Sequence, residues 1–179
     1  GLYISFAQPE MIGAAWGALL LGFLLSQVGI FFGNRWGRRP RPDEHLDEAL
    51  KGLDDRYHLY HYSSPVSHLL AGPAGLWLLM PRHQGGRITF EKGRWRQRGG
   101  GIFQAYLRAF AQEGLGRPDL DYEAETSALK RHLEKNLPDQ ELPGIQAALV
   151  MTNENAVIEA VDAPFPTVQA KKLKDLIRK

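Results

Sequence analysis

Seven basic side chains crowd one short stretch: Arg82, Arg87, Lys92, Arg94, Arg96, Arg98 and Arg108, interrupted by a single acid, Glu91. Cations at that density form an anion-binding surface for nucleic-acid phosphates or acidic phospholipids, with Trp95 available for base stacking. The same residues also fit a solvated hairpin face beside a negatively charged membrane. Six histidines offer imidazoles. His58 and His61, three apart in a strand, point to opposite faces, and the neighbours Ser67 and His68 do so too. That spacing argues against a histidine metal site and against a Ser-His nucleophile. Gly99, Gly100 and Gly101 precede a helical stretch, a setting suited to phosphate, but a flexible connection explains them as well. There is no cysteine, which excludes disulfides, thiolate metal sites and cysteine nucleophiles.

The elements that must position these residues follow from periodicity. Asp43 to Asp55 carries Leu46, Leu50 and Leu53 on one helical face, with acids in the first turn. His58 to Tyr62 and Ser67 to Ala71 predict strands, the second closed by the turn Gly72-Pro73-Ala74-Gly75. The unbroken apolar run Leu76 to Met80 predicts a central strand, flanked by the Ser67 and Arg87 strands. Arg87 to Phe90 and Arg94 to Arg96 form a hairpin around Lys92-Gly93. Ile102, Phe103, Tyr106, Leu107 and Phe110 make a helical stripe, and a further helix runs from Tyr122 to Leu137, stopping before Pro138. Ile145 to Met151 and Ala156 to Ala160 predict strands joined at Thr152 to Asn155. A last helix is expected from a Thr167 cap to the end, with Lys171, Lys172, Lys174 and Arg178 on its basic face. The fold class is α/β or α+β, with a mixed central sheet flanked by helices.

The first part of the chain differs in kind. Met11 to Gly33 holds no charged residue, and Ser26 and Gln27 are its clearly polar side chains. About 20 apolar residues cross a hydrocarbon core of roughly 30 Å. A helix apolar on every side suits a bilayer better than the core of a small domain. A cleaved signal would need a basic start and an A-x-A-like exit, and neither is visible. Three segments result: an anchor over 1–34, a basic linker over 35–42 stiffened by Pro40 and Pro42, and a domain over 43–179. Arg35, Arg38, Arg39 and Arg41 follow the span, whereas Glu10 is the sole charge before it. The positive-inside rule puts the domain in the cytoplasm. Gly13 and Gly17 are spaced for helix dimerisation, a route to a homodimer.

The stretch from Leu53 to Gln97 resembles the nuclease-related domain (NERD) family, a branch of the restriction-endonuclease-like, PD-(D/E)xK fold. The matching pieces are Val66-Ser67-His68, Gly75, the strand Leu76 to Leu79, Met80-Pro81-Arg82 and Gly86-Arg87-Ile88. The likeness reaches back to the Asp43 helix, forward to Gln104, and includes the late VMTNENAVIEA segment. It implies a site in which two carboxylates on adjacent strands hold Mg²⁺ while a lysine assists phosphoryl transfer. At the matching positions stand Ser67 for the aspartate, Met80 for the glutamate and Arg82 for the lysine. A thioether suits soft metals, and arginine has no useful proton chemistry. Pro81 removes a backbone donor from what should be a paired strand.

The resemblance and these replacements together imply a membrane-anchored pseudo-nuclease with no cofactor, acting as a binding or scaffolding module. Its partners would be the lipid bilayer and nucleic acid or anionic lipid, with Arg82, Arg87, Lys92, Arg94, Arg96 and Arg98 binding the anion. Two alternatives stand beside it. One is an active nuclease holding Mg²⁺ through displaced carboxylates such as Asp43, Glu44 or Glu91. The other is a protein-interaction domain whose arginines merely face lipid.

Overall fold

The computed structural model describes residues 12–33, 37, 39–99, 114–138 and 140–178. The chain divides into two units, Gly1–Arg41 and Pro42–Lys179. The first contains helix α1, Ile12–Phe32, none of whose residues is buried. Trp16, Leu21 and Phe23 are each more than half exposed. α1 is the one helix among the described residues long and apolar enough to cross a membrane. Met11 and the linker arginines Arg35 and Arg38 lie outside the described residues, as does the expected helix over 102–110 with Gln104 and Arg108.

The second unit is a mixed α+β structure. Helix α2, Pro42–Leu50, leads into strands β1, His58–His61, β2, His68–Gly72, and β3, Gly75–Arg82. Strands β4, Gly86–Glu91, and β5, Arg94–Arg98, precede helix α3, Pro118–Asn136. Strands β6, Ile145–Met151, β7, Ala156–Glu159, and β8, Thr167–Gln169, follow, and a 3-10 turn runs into helix α4, Leu173–Ile177. Five strands form one sheet in the order β1-β2-β3-β6-β8, and three form another in the order β5-β4-β7.

β3 is central, as its apolar run predicts, but its neighbours are β2, antiparallel, and β6, parallel. The expected flanking Arg87 strand lies instead in the smaller sheet, parallel to β7. Burial explains the exchange. β6 has five consecutive buried residues and therefore needs cover on both faces, which an interior position supplies. β4 has one apolar face, Ile88 and Phe90, and on the other carries Arg87, Thr89 and Glu91, of which Thr89 alone is buried. Leu78, Met80, Ala147 and Leu149 point into one apolar layer, which takes in Leu129 of α3 and the inner face of the smaller sheet. Trp77, Leu79, Ala148 and Val150 point into the other, closed by Leu46 and Leu50 of α2 and by Leu173 and Ile177 of α4. Truncating one such leucine to alanine typically costs about 2–5 kcal/mol.

Other boundaries move for local reasons. α2 stops at Leu50 rather than reaching Asp55, and Gly52 at φ 74° turns the chain away. α3 begins at Pro118, four residues before the expected start, because proline is well placed in a first helical turn. The predicted C-terminal helix begins instead as β8, which pairs in parallel with β6. Lys174 and Arg178 donate to the carbonyls of Lys51 and Gly52 beyond α2, so the expected basic face is partly used to close that turn. The hairpin turns at Lys92-Gly93 as expected; both have positive φ, the conformation of a tight I′-type connection.

Candidate functional site

Ser67, Met80 and Arg82 converge at the C-terminal end of β3. The β2–β3 register begins at Leu69 with Leu78; Ser67 lies two residues before it, in the bend that leads into β2. Side-chain alternation puts Leu78, Met80 and Arg82 on one face of β3, the face covered by α3. Pro81 is paired with Val150 of β6, beyond the end of the β2 ladder, where a missing donor is tolerated.

The acids that reach this place come from α3. Asp121 and Glu125 continue, at four-residue spacing, the row of Leu129 and Leu133 that packs into the core. Arg82 Nη2 donates to Asp121 Oδ2 at 2.5 Å. Its Nε donates to the Leu115 carbonyl at 3.3 Å and its Nη1 to the Pro81 carbonyl at 3.1 Å. The guanidinium thus ties β3, the approach to α3 and α3 itself. Ser67 lies beside the Glu125 carboxyl and favours its ionised form, while Glu125 Oε2 is shielded without a partner. Burial pushes the Glu125 carboxyl up, helped by the Asp121 charge and opposed by Ser67 and Arg82.

These residues do not fit Mg²⁺. The Asp121 carboxylate is engaged by the Arg82 guanidinium, burial raises the Glu125 carboxyl, and Arg82 puts a positive charge where a cation would have to sit. Among the described residues no group of three or more histidines, aspartates or glutamates converges as a metal site. The candidate acids Asp43 and Glu44 belong to α2, which packs on the opposite face of the sheet. Glu91 lies in the smaller sheet and pairs with Arg98 at 2.8 Å.

On that opposite face a second polar chain occurs that histidine spacing did not suggest. Hairpin pairing sets His61 across from His68, with their Nδ1 atoms 2.7 Å apart, and His61 Nε2 lies 3.2 Å from Asp47 Oδ1. Only one of two facing Nδ1 atoms can donate, so the pair shares one proton on that line. Ser67 and His68 point apart, as expected for neighbours in a strand: the first meets Glu125, the second His61.

The basic hairpin residues share a surface. β4–β5 register pairs Arg87 with Arg98, Thr89 with Arg96 and Glu91 with Arg94 on the face opposite Ile88 and Trp95, and Thr89, 6% exposed, is covered at its centre. Arg87, Arg94, Arg96 and Arg98 are exposed, and Lys92 occupies the turn. Arg82 does not belong to this group. Nor is Trp95 available for stacking: it is 6% exposed, its ring stacks on Phe165, and its Nε1 donates to Thr167 Oγ1 at 3.1 Å. No family model, curated protein or solved structure matches this chain.

Proposed function

We propose that the chain is a single-pass membrane protein whose Pro42–Lys179 unit is a NERD-like, restriction-endonuclease-like domain that binds or scaffolds without cutting nucleic acid. The arginines after α1 favour a cytoplasmic side for that unit. The observation that carries the proposal is the engagement of Arg82, each of whose three nitrogens donates a hydrogen bond within the domain. In the resembled fold, adjacent strands present two carboxylates and a lysine to a metal. Here the corresponding positions are Ser67, at the entry to β2, and Met80 of β3, and the cation is spent holding α3 through Asp121. A mixed sheet with Ser67 just before β2 and Met80 in the neighbouring β3 supports the relationship.

The test is cleavage of DNA and RNA over a magnesium and manganese series, by the natural protein and by a Ser67→Asp, Met80→Glu, Arg82→Lys variant. The natural protein is expected to be silent. Each 1.36 kcal/mol of lost transition-state stabilisation is a factor of ten in rate, and losing a metal removes several such factors. Because α3 brings Asp121 and Glu125 to the same place, a nuclease with displaced carboxylates is the specific rival. Metal-dependent cleavage by the natural protein, lost in Glu125→Gln, would overturn the pseudo-enzyme.

A further inference from the structure

We infer that the arginine face of the β5-β4-β7 sheet docks on the anionic surface of the bilayer that holds α1. This rests on the membrane role proposed above for α1 and names the partner of the domain.

The face carries more positive charge than its own acids answer. Arg87 and Arg98 lie directly across from one another, an arrangement that is destabilising when both charges are free. Each has an acid: Glu159 lies 3.5 Å from Arg87 and Glu91 lies 2.8 Å from Arg98. Arg94 and Arg96 form no ion pair among the described residues, and both are exposed. Lys92 extends the charge to the hairpin tip.

The neighbourhood of that charge favours lipid over nucleic acid. Val157 pairs with Arg87 on the same face and is 54% exposed, and Val161, in the turn after β7, is 92% exposed. Basic heads beside bare aliphatic groups match a bilayer interface, where phosphates meet the first carbons of the acyl region. The outward residues of the three strands include no aromatic ring, because Trp95 and Phe90 both face the core. A single strand of nucleic acid would find phosphate contacts here but nothing on which to stack its bases.

Chain length makes the contact attainable. Residues 33–41 separate α1 from α2, and so short a segment spans at most roughly 30 Å. A tether of that reach keeps the domain at high effective concentration over one bilayer, so a few weak contacts suffice. The attraction itself acts only within about 8 Å at physiological salt.

The test uses the full chain in nanodiscs of phosphatidylcholine alone or with about one-third phosphatidylserine. As the chain has no cysteine, Val157→Cys gives a single spin-label site and Glu134→Cys, on α3, gives the control. The expected result is shielding of the label at 157, but not at 134, from a water-soluble relaxant on anionic discs only, reversed by about 0.5 M salt. Near an anionic surface each basic residue contributes about fivefold, so Arg94→Gln with Arg96→Gln should lower the docked-to-free ratio about twenty-five-fold. Equal shielding on neutral and anionic discs, or shielding by added polyuridylate and not by anionic discs, overturns the inference. Co-elution with neutral discs reports α1 separately: failure there removes the anchor, and the docking with it, whereas co-elution without shielding removes the docking alone.

Discussion

Arg82 and Arg94 stand twelve residues apart in one basic stretch, yet they do opposite things. Arg82 is three-quarters covered and donates to Asp121, the Leu115 carbonyl and the Pro81 carbonyl. Arg94 and its neighbour Arg96 are exposed on the outer face of the smaller sheet, without an ion pair among the described residues. The difference teaches that a guanidinium's role is set by what its five donors meet. Where α3 supplies a carboxylate and carbonyls, the arginine is a structural tie. Where Glu91 and Glu159 pair with Arg98 and Arg87 instead, the charge of Arg94 and Arg96 is left without an ion pair among the described residues.

The largest expected effect is on that tie. Arg82→Ala should lower the urea-unfolding free energy by about 2 kcal/mol, because a charge-assisted hydrogen bond is lost and Asp121 is left beside a half-buried carboxyl. Arg94→Gln with Arg96→Gln should shift it by no more than about 0.5 kcal/mol, as for surface substitutions generally. Equal losses in the two variants would erase the contrast.

Glu125→Gln should sharpen it. Burial raises the folded-state affinity of Glu125 for a proton. The stability it permits is therefore full below the ordinary carboxyl value and is lost as pH rises through the raised one. Glutamine keeps an acceptor for Ser67 and removes that loss. The variant's unfolding midpoint should vary less between pH 4 and pH 8 than the natural protein's, and should equal or exceed it at the upper end. A midpoint falling more steeply with rising pH would show that Glu125 works ionised.

The smallest effect belongs to an exposed pair. Arg56 donates to Asp54 from its side chain and backbone and holds that carboxyl down to about 2. Stability from this contact is present above the ordinary value of 3.8 and disappears as pH falls toward 2. Asp54→Asn should slightly lower the melting midpoint at neutral pH, flatten the acid limb of a thermal-melt series and meet the natural protein's curve near pH 2. Parallel curves from neutral pH down to pH 2 would mean the turn does not depend on the charge.

Sequence by itself determined α1, β3, the Lys92-Gly93 hairpin and the opposed directions of Ser67 and His68, because each depends on local periodicity or turn chemistry. Even the acids of the site left a trace: Asp121 and Glu125 extend the i, i+4 row of Leu129 and Leu133. Tertiary structure alone decided which sheet β4 joined, that Thr167 began a strand instead of a helix, and that Trp95 turned inward onto Phe165. It also decided that His61 faced His68 and that Arg82 left its basic neighbours for Asp121. The physical reason is shared. A pattern along the chain says which side of an element is apolar, but its partner is whichever distant surface buries that side and satisfies its polar groups most completely.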